Sequence, residues 1–136
     1  MTVSDRELVD AAIAVRGNAY APFSGYRVGA ALLDEQGRVH LGCNVENSSF
    51  PCASCAEAGA ISAMVAAGGQ RIVAIAAVGG RRGLEDCTPC GNCRQRISEF
   101  ADDATRVLLR DGDGGIRSHA IEQLLPGSFR LRRDGG

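Results

Sequence analysis

The seven residues Ile72-Val73-Ala74-Ile75-Ala76-Ala77-Val78 are all apolar, with no polar alternation. No other segment limits the fold as strongly. Such a run reads as a strand covered on both faces, not as one with a wet side. A chain that contains it needs a layer of structure above the strand and another below.

The flanking segments supply those layers. Ser4, with Glu7 three residues later, reads as a capping box that opens a helix. Leu8, Ala12, Val15 and Ala19 recur at helical spacing, with Val9 and Ile13 widening the stripe. This helix is expected to stop near Pro22, because the residue before a proline is pushed out of the helical region. Residues 28–34 and 38–42 flank Glu35-Gln36-Gly37 and read as a hairpin. Residues 55–67 read as a buried helix ended by Gly68-Gly69. Residues 79–89 read as a loop, 91–100 as a helix, 105–109 and 116–119 as strands, and 120–125 as a short helix ended by Pro126-Gly127. The polar tail 130–136 is expected to fray. With neither a repeat nor an interdomain linker, residues 1–136 read as one α/β domain, a three-layer α/β/α sandwich.

A chain of 136 residues is long enough to bury a real core. Its net charge of −1 offers no basic face for a phosphate backbone, so no nucleic-acid partner is expected. Residues 1–16 lack a basic segment followed by a long apolar run, and no stretch approaches the ~20 apolar residues of a spanning helix. The expectation is a cytoplasmic enzyme without a membrane partner. In that compartment the six cysteines Cys43, Cys52, Cys55, Cys87, Cys90 and Cys93 read as metal ligands or free thiols, not as disulfides.

Two short motifs carry the chemistry: Cys55-Ala56-Glu57 and Pro89-Cys90-Gly91-Asn92-Cys93. Zinc takes thiolates in tetrahedral sites, and a catalytic site keeps one of the four positions for water. Cys55, Cys90 and Cys93 therefore form a candidate three-ligand zinc site. The element reading puts Cys55 at the start of one helix and Cys90 and Cys93 at the start of another, where the helix dipole is expected to lower thiol pKa values. Glu57, two residues past Cys55, is placed to reach a metal-activated water as a proton shuttle. Zinc deaminases share this order: a ligand two residues before a non-ligand Glu, then Pro-Cys-x-x-Cys. A structural zinc site would call for a fourth ligand. An iron–sulfur cluster on Cys87, Cys90 and Cys93 would call for a fourth Cys, with no need of Glu57. Cys43, Cys52 and Cys87 read as spare thiols, and His40 and His119 as ordinary strand or surface residues.

Over nearly its whole length the chain resembles the short, homotetrameric type of cytidine deaminase. The matching segments are Ala19-Tyr20-Ala21-Pro22-Phe23-Ser24, Val28-Gly29-Ala30-Ala31-Leu32, Gly42-Cys43-Asn44-Val45-Glu46-Asn47, the two cysteine motifs with Arg94-Gln95, and Leu124-Leu125-Pro126-Gly127-Ser128-Phe129. The resemblance implies a mixed five-stranded sheet between helices, one Zn²⁺ per chain, and a homotetramer with shared active sites. It implies a small nucleoside substrate, cytidine or deoxycytidine, in pyrimidine salvage. It implies that Asn44 and Glu46 bind the ribose 3′-hydroxyl, that Tyr26 packs on the pyrimidine, and that the Ala56 backbone N–H holds the base O2. Phe129 would enter from another subunit.

The chain departs from that family at Ala58, where Arg is usual, and at Phe50, where Tyr is common. The usual Arg would hydrogen-bond the sulfurs, so either Arg94 or backbone amides compensate, or the metal-bound water is less acidic in this chain. A second reading keeps the zinc chemistry for another aminopyrimidine, such as blasticidin S or a modified cytidine. A non-catalytic zinc-binding module and a polynucleotide deaminase are further alternatives.

Overall fold

The computed structural model describes residues 2–131. In chain order the elements are α1 (Asp5–Arg16), β1 (Arg27–Asp34), β2 (Val39–Cys43), a single 3-10 turn (Phe50–Cys52), α2 (Ala56–Ala66), β3 (Ile72–Gly80), α3 (Gly91–Glu99), β4 (Arg106–Arg110), β5 (Ile116–Ala120) and α4 (Ile121–Leu124). The strands form one five-stranded sheet in the order β2-β1-β3-β4-β5. The β3–β4 pair is parallel and the others are antiparallel, so the sheet is mixed.

The apolar run 72–78 lies inside β3, at the centre of the sheet, and is covered on both sides as its sequence demands. On one face α1 packs Leu8, Val9 and Ala12 against Ala31, Leu33, Ala76 and Leu108. On the other, α2 and α3 pack Ala60, Met64 and Ile97 against Ala30, Leu32, Ile75 and Val107. Successive residues of β1 alternate between the two clusters because strand side chains alternate with a period of two. Each fully buried Leu or Ile contributes roughly 1.5–3 kcal/mol, and Leu8, Leu32, Ile75 and Ile97 are all 0–1% exposed. The layers are therefore helix, sheet, helix, as expected.

The capping box forms as read: Glu7 N–H donates to Ser4 Oγ, and Ser4 N–H donates to Glu7 Oε1, both at 3.1 Å. The end of α1 differs from the expectation. The helix stops at Arg16, not near Pro22, and the Gly17 N–H caps the carbonyls of Ala14 and Val15. Beyond it the chain turns extended, and Tyr20 forms a bridge with Val45. Ala19 is buried, but outside the helix, so its match to the helical spacing was coincidental. The tail differs at Arg130. Arg130 is tied down by donation to the carbonyls of Ser98 and Ala101, while residues 132–136 lie outside the described residues.

Two close approaches set where the helices sit on the sheet. A Cβ on Gly29 would lie 2.1 Å from the Ala12 carbonyl oxygen, and one on Gly42 would lie 2.2 Å from that of Ala56. Only glycine lets β2 lie that close to the start of α2. That contact fixes the end of α2 that carries Cys55 and Glu57.

Candidate active site

Cys55 is the N-cap residue of α2, and Cys90 is that of α3. Cys93 follows in the first turn of α3, where the spacing of three brings it round toward Cys90. The α2 and α3 N-termini meet, and the Sγ atoms of Cys55, Cys90 and Cys93 all lie within 4.8 Å of one another. Among the described residues this is the metal-competent group; Cys43, Cys52 and Cys87 are not part of it. All six cysteines are free thiols. The donor set suits zinc, being three soft sulfurs at bonding separation that open on a cavity with room for one further, non-protein ligand. Among the described residues no fourth thiol joins the group, which suits the catalytic kind of centre better than the structural kind.

The cavity measures about 540 Å³ and is lined by all three of these cysteines together with Ala56, Glu57, Tyr26, Asn44 and Glu46. Every sequence-predicted site residue except Phe129 thus reaches one hollow. The Phe129 ring is 69% exposed, away from this cavity, and its carbonyl accepts from Gln95 Nε2 at 2.8 Å. A single copy of the chain does not bring Phe129 to the site. Sequence reading left out Asp86, Cys87 and Thr88, which also line the cavity. They belong to the irregular 81–90 segment, where no periodic pattern marks which side chains turn inward.

Glu57 is 4% exposed. Burial pushes its carboxyl above the usual range, while the Cys93 thiol and the positive charge of Arg96 pull the other way. A carboxyl raised in this manner suits a group that both takes and returns a proton. The thiols do not follow the helix-dipole expectation together. Burial pushes Cys55 and Cys93 up, with neighbouring negative groups adding to the shift. For Cys90 burial also works upward, but hydrogen bonds from the Cys93 backbone and from the neighbouring thiols hold it below its ordinary value.

A small ladder places the polar end of the cavity. Val45 and Ser54 exchange N–H···O bonds at 2.9 Å, the Tyr20 N–H donates to the Asn44 carbonyl at 3.0 Å, and the Glu46 N–H donates to the Tyr20 carbonyl at 2.8 Å. Asn44 Nδ2 donates to the Tyr26 carbonyl at 2.9 Å. Glu46 accepts from the backbone N–H groups of Phe23 and Ser24 and from the Ser24 hydroxyl. The Ser24 hydroxyl first, then those N–H groups, hold the Glu46 carboxyl below its usual range. Sequence reading did not find these backbone contacts of Asn44 and Glu46. Each keeps spare capacity, with an N–H and a lone pair on the Asn44 amide and a lone pair on the Glu46 carboxylate. The Tyr26 phenol is pushed up to about 12, by burial and by its hydrogen bond with Cys87.

Arg94 does not serve the sulfurs as expected. Its Nε donates to the Pro89 carbonyl and its Nη1 to the Leu124 carbonyl, both at 2.8 Å, so it pins the loop before α3 to α4. The cation on the sulfur is Arg96, whose Nη1 donates to Cys93 Sγ at 4.0 Å.

An α/β/α sandwich that brings three thiols and a buried acid into one cavity offers the donor set of a metal-dependent enzyme site. Residues 2–109 match the model of the cytidine and deoxycytidylate deaminase zinc-binding region. The chain is 41% identical over 114 residues to the cytidine deaminase of Sporosarcina psychrophila, covering 84% of this chain and 82% of that one. It is 40% identical over 126 residues to the cytidine deaminase of Halalkalibacterium halodurans, covering 92% and 94%. The crystal structure of the cytidine deaminase from Burkholderia pseudomallei superposes with a TM-score of 0.84 at 40% identity, over 93% of this chain and 99% of that one. This chain belongs to the cytidine and deoxycytidylate deaminase family.

Proposed function

We propose that the chain hydrolytically deaminates cytidine and deoxycytidine to uridine and deoxyuridine, releasing ammonia, with one zinc ion held by Cys55, Cys90 and Cys93. The observation that carries this reading is the convergence of the three sulfurs in a cavity that also holds the buried Glu57. When bound, zinc supplies Lewis-acid activation of a water molecule.

The chain's own residues do the rest. The Glu57 carboxylate takes a proton from the attacking water and passes it to N3 of the base; it then takes the second proton, from the new C4 hydroxyl, and gives it to the amine, so that ammonia leaves as C4 becomes a carbonyl. The Ala56 N–H opens α2 and has no acceptor within the helix, which leaves it free for the base O2. Tyr26 packs on the pyrimidine ring. A ribose 3′-hydroxyl both donates and accepts, so it takes the spare Glu46 lone pair and the spare Asn44 N–H together. The exposed Phe129 ring supports a homotetramer in which this side chain completes a neighbour's site. Residues 1–136 form one deaminase domain on this reading. Free thiols throughout fit a reducing cytoplasm, and a reaction that turns cytidine into uridine belongs to pyrimidine salvage. Among the described residues, no helix is long and apolar enough to cross a membrane.

The test is an ammonia-release screen over cytidine, deoxycytidine, 5-substituted cytidines, cytosine and blasticidin S, with zinc measured on the same sample. Turnover of cytidine and deoxycytidine at one zinc per chain is expected. A zinc-loaded chain inert on every nucleoside overturns the reading.

A further inference from the structure

We propose that Arg96 is a positioning residue of the metal centre, its guanidinium on Cys93 Sγ offsetting the negative charge that three thiolates leave around a zinc ion. The inference rests on the zinc reading above. Cys93 is 1% exposed and Glu57 is 4% exposed, so water cannot solvate the charge that metal loading brings to this side of the site. A buried charge without a partner is costly. Arg96 lies three residues beyond Cys93 on α3, on the same helix face, and its Nη1 is the side-chain donor aimed at that sulfur.

Space is left for it by α2. Ala58 ends at its Cβ, and a hollow of about 330 Å³ opens between α2 and α3, lined by Ala58, Ile61, Ser62, Gln95, Arg96 and Phe100 among others. A long side chain at position 58 would enter the hollow that Arg96 lines. The other nearby arginine, Arg94, is engaged with the carbonyls of Pro89 and Leu124. Arginine suits the task because it stays charged and offers several donors at fixed angles. Donation into a ligand sulfur also draws electron density from the thiolate, which leaves the bound metal a stronger Lewis acid.

The experiment loads the wild-type chain, Arg96→Gln, Arg96→Lys and the double variant Arg96→Gln/Ala58→Arg with zinc. It follows zinc release to an excess of a chromophoric chelator, with melting temperature and the kcat and KM for cytidine on the same samples. Arg96→Gln is expected to release zinc roughly 10–100-fold faster and to lose kcat with little change in KM. Arg96→Lys keeps most of the retention. The double variant, which brings a guanidinium into the same hollow from α2, recovers it. A merely structural role would lower the melting temperature of Arg96→Gln without rescue by a cation from the opposite helix. Should Arg96→Gln fold poorly, Arg96→Lys and the double variant still separate the two roles. Wild-type release from Arg96→Gln, or a double variant no better than the single one, overturns the proposal. A wild-type chain that binds no zinc sinks the functional reading instead.

Discussion

Asn44 and Val28 hold each other at two points: the Asn44 N–H donates to the Val28 carbonyl at 3.2 Å, and the Val28 N–H donates to Asn44 Oδ1 at 2.8 Å. With the Asn44 Nδ2 bond to the Tyr26 carbonyl, this one side chain ties the start of β1 to the loop after β2. Asn44→Ala leaves two partly buried backbone groups unpaired, at a cost of about 1–3 kcal/mol each before relaxation. The expected outcome is a lower melting temperature together with a raised KM for cytidine. Unchanged stability would show that the clamp is not needed to hold this wall.

Glu57→Gln keeps the shape and removes the proton carrier. Turnover is expected to fall at least ~10²–10⁴-fold, with zinc content unchanged. Steady-state kinetics and metal analysis on one preparation check both halves. Loss of zinc from this variant would instead make Glu57 part of the metal's support.

The six cysteines separate into two groups of three. Cys90→Ser, which removes one of the three converging sulfurs, is expected to lose zinc and activity together, because metal affinity depends on the full ligand set. Cys52→Ser, at an exposed thiol outside the cluster, is expected to keep both. Zinc per chain after extensive dialysis gives the readout.

Gly42→Ala tests how the sheet places the site. The new Cβ would meet the Ala56 carbonyl oxygen at 2.2 Å and the Ala60 nitrogen at 2.4 Å, so α2 must move off β2. Overpacking of this kind costs typically 1–3 kcal/mol. Because Cys55 and Glu57 ride on the displaced end, kcat should fall even in the fraction that stays folded. Denaturant unfolding and kcat per bound zinc measure the two effects separately.

Asp34 makes stability fall in acid. Burial opposes its ionisation, but hydrogen bonds from His40, from the Arg38 and Gln36 backbones and from the Arg38 guanidinium outweigh this and hold it at about 2, against an ordinary 3.8. The folded pKa is the lower one, so the contribution is full above the ordinary value and disappears as pH falls through about 2. Its size is about 2 kcal/mol. Asp34→Asn should remove that acid-sensitive portion, and melting curves from pH 6 down to about 2 would record it.

Much of the fold was legible because its signals are local. The apolar run at 72–78, the Ser4–Glu7 capping box and the hairpin about Glu35-Gln36-Gly37 each encode their element within a few residues. The end of α1 was misplaced because Ala19 happened to fit the helical spacing, while the real stop depends on Gly17 and on the Tyr20–Val45 bridge. His40 read as an ordinary strand residue, yet it bonds the buried Asp34 at 2.8 Å.

The same division runs through the site. The sequence by itself determined which candidate ligands and which acid each helix start presents, because Cys55-Ala56-Glu57 and Cys90-Gly91-Asn92-Cys93 each carry their local geometry in one helical turn. Tertiary structure alone decided which arginine meets the sulfur. Arg94 and Arg96 are two residues apart on one helix, so they point in different directions, and only the packing of α2, α4 and the 81–90 loop around α3 sends Arg94 to backbone carbonyls and Arg96 to Cys93. It also decided that Asn44 and Glu46 serve the backbone as well as the cavity, and that Phe129 lies outside it in a single copy. Those contacts join groups far apart in the chain, where neither periodicity nor spacing carries information and only the closed core sets the distance.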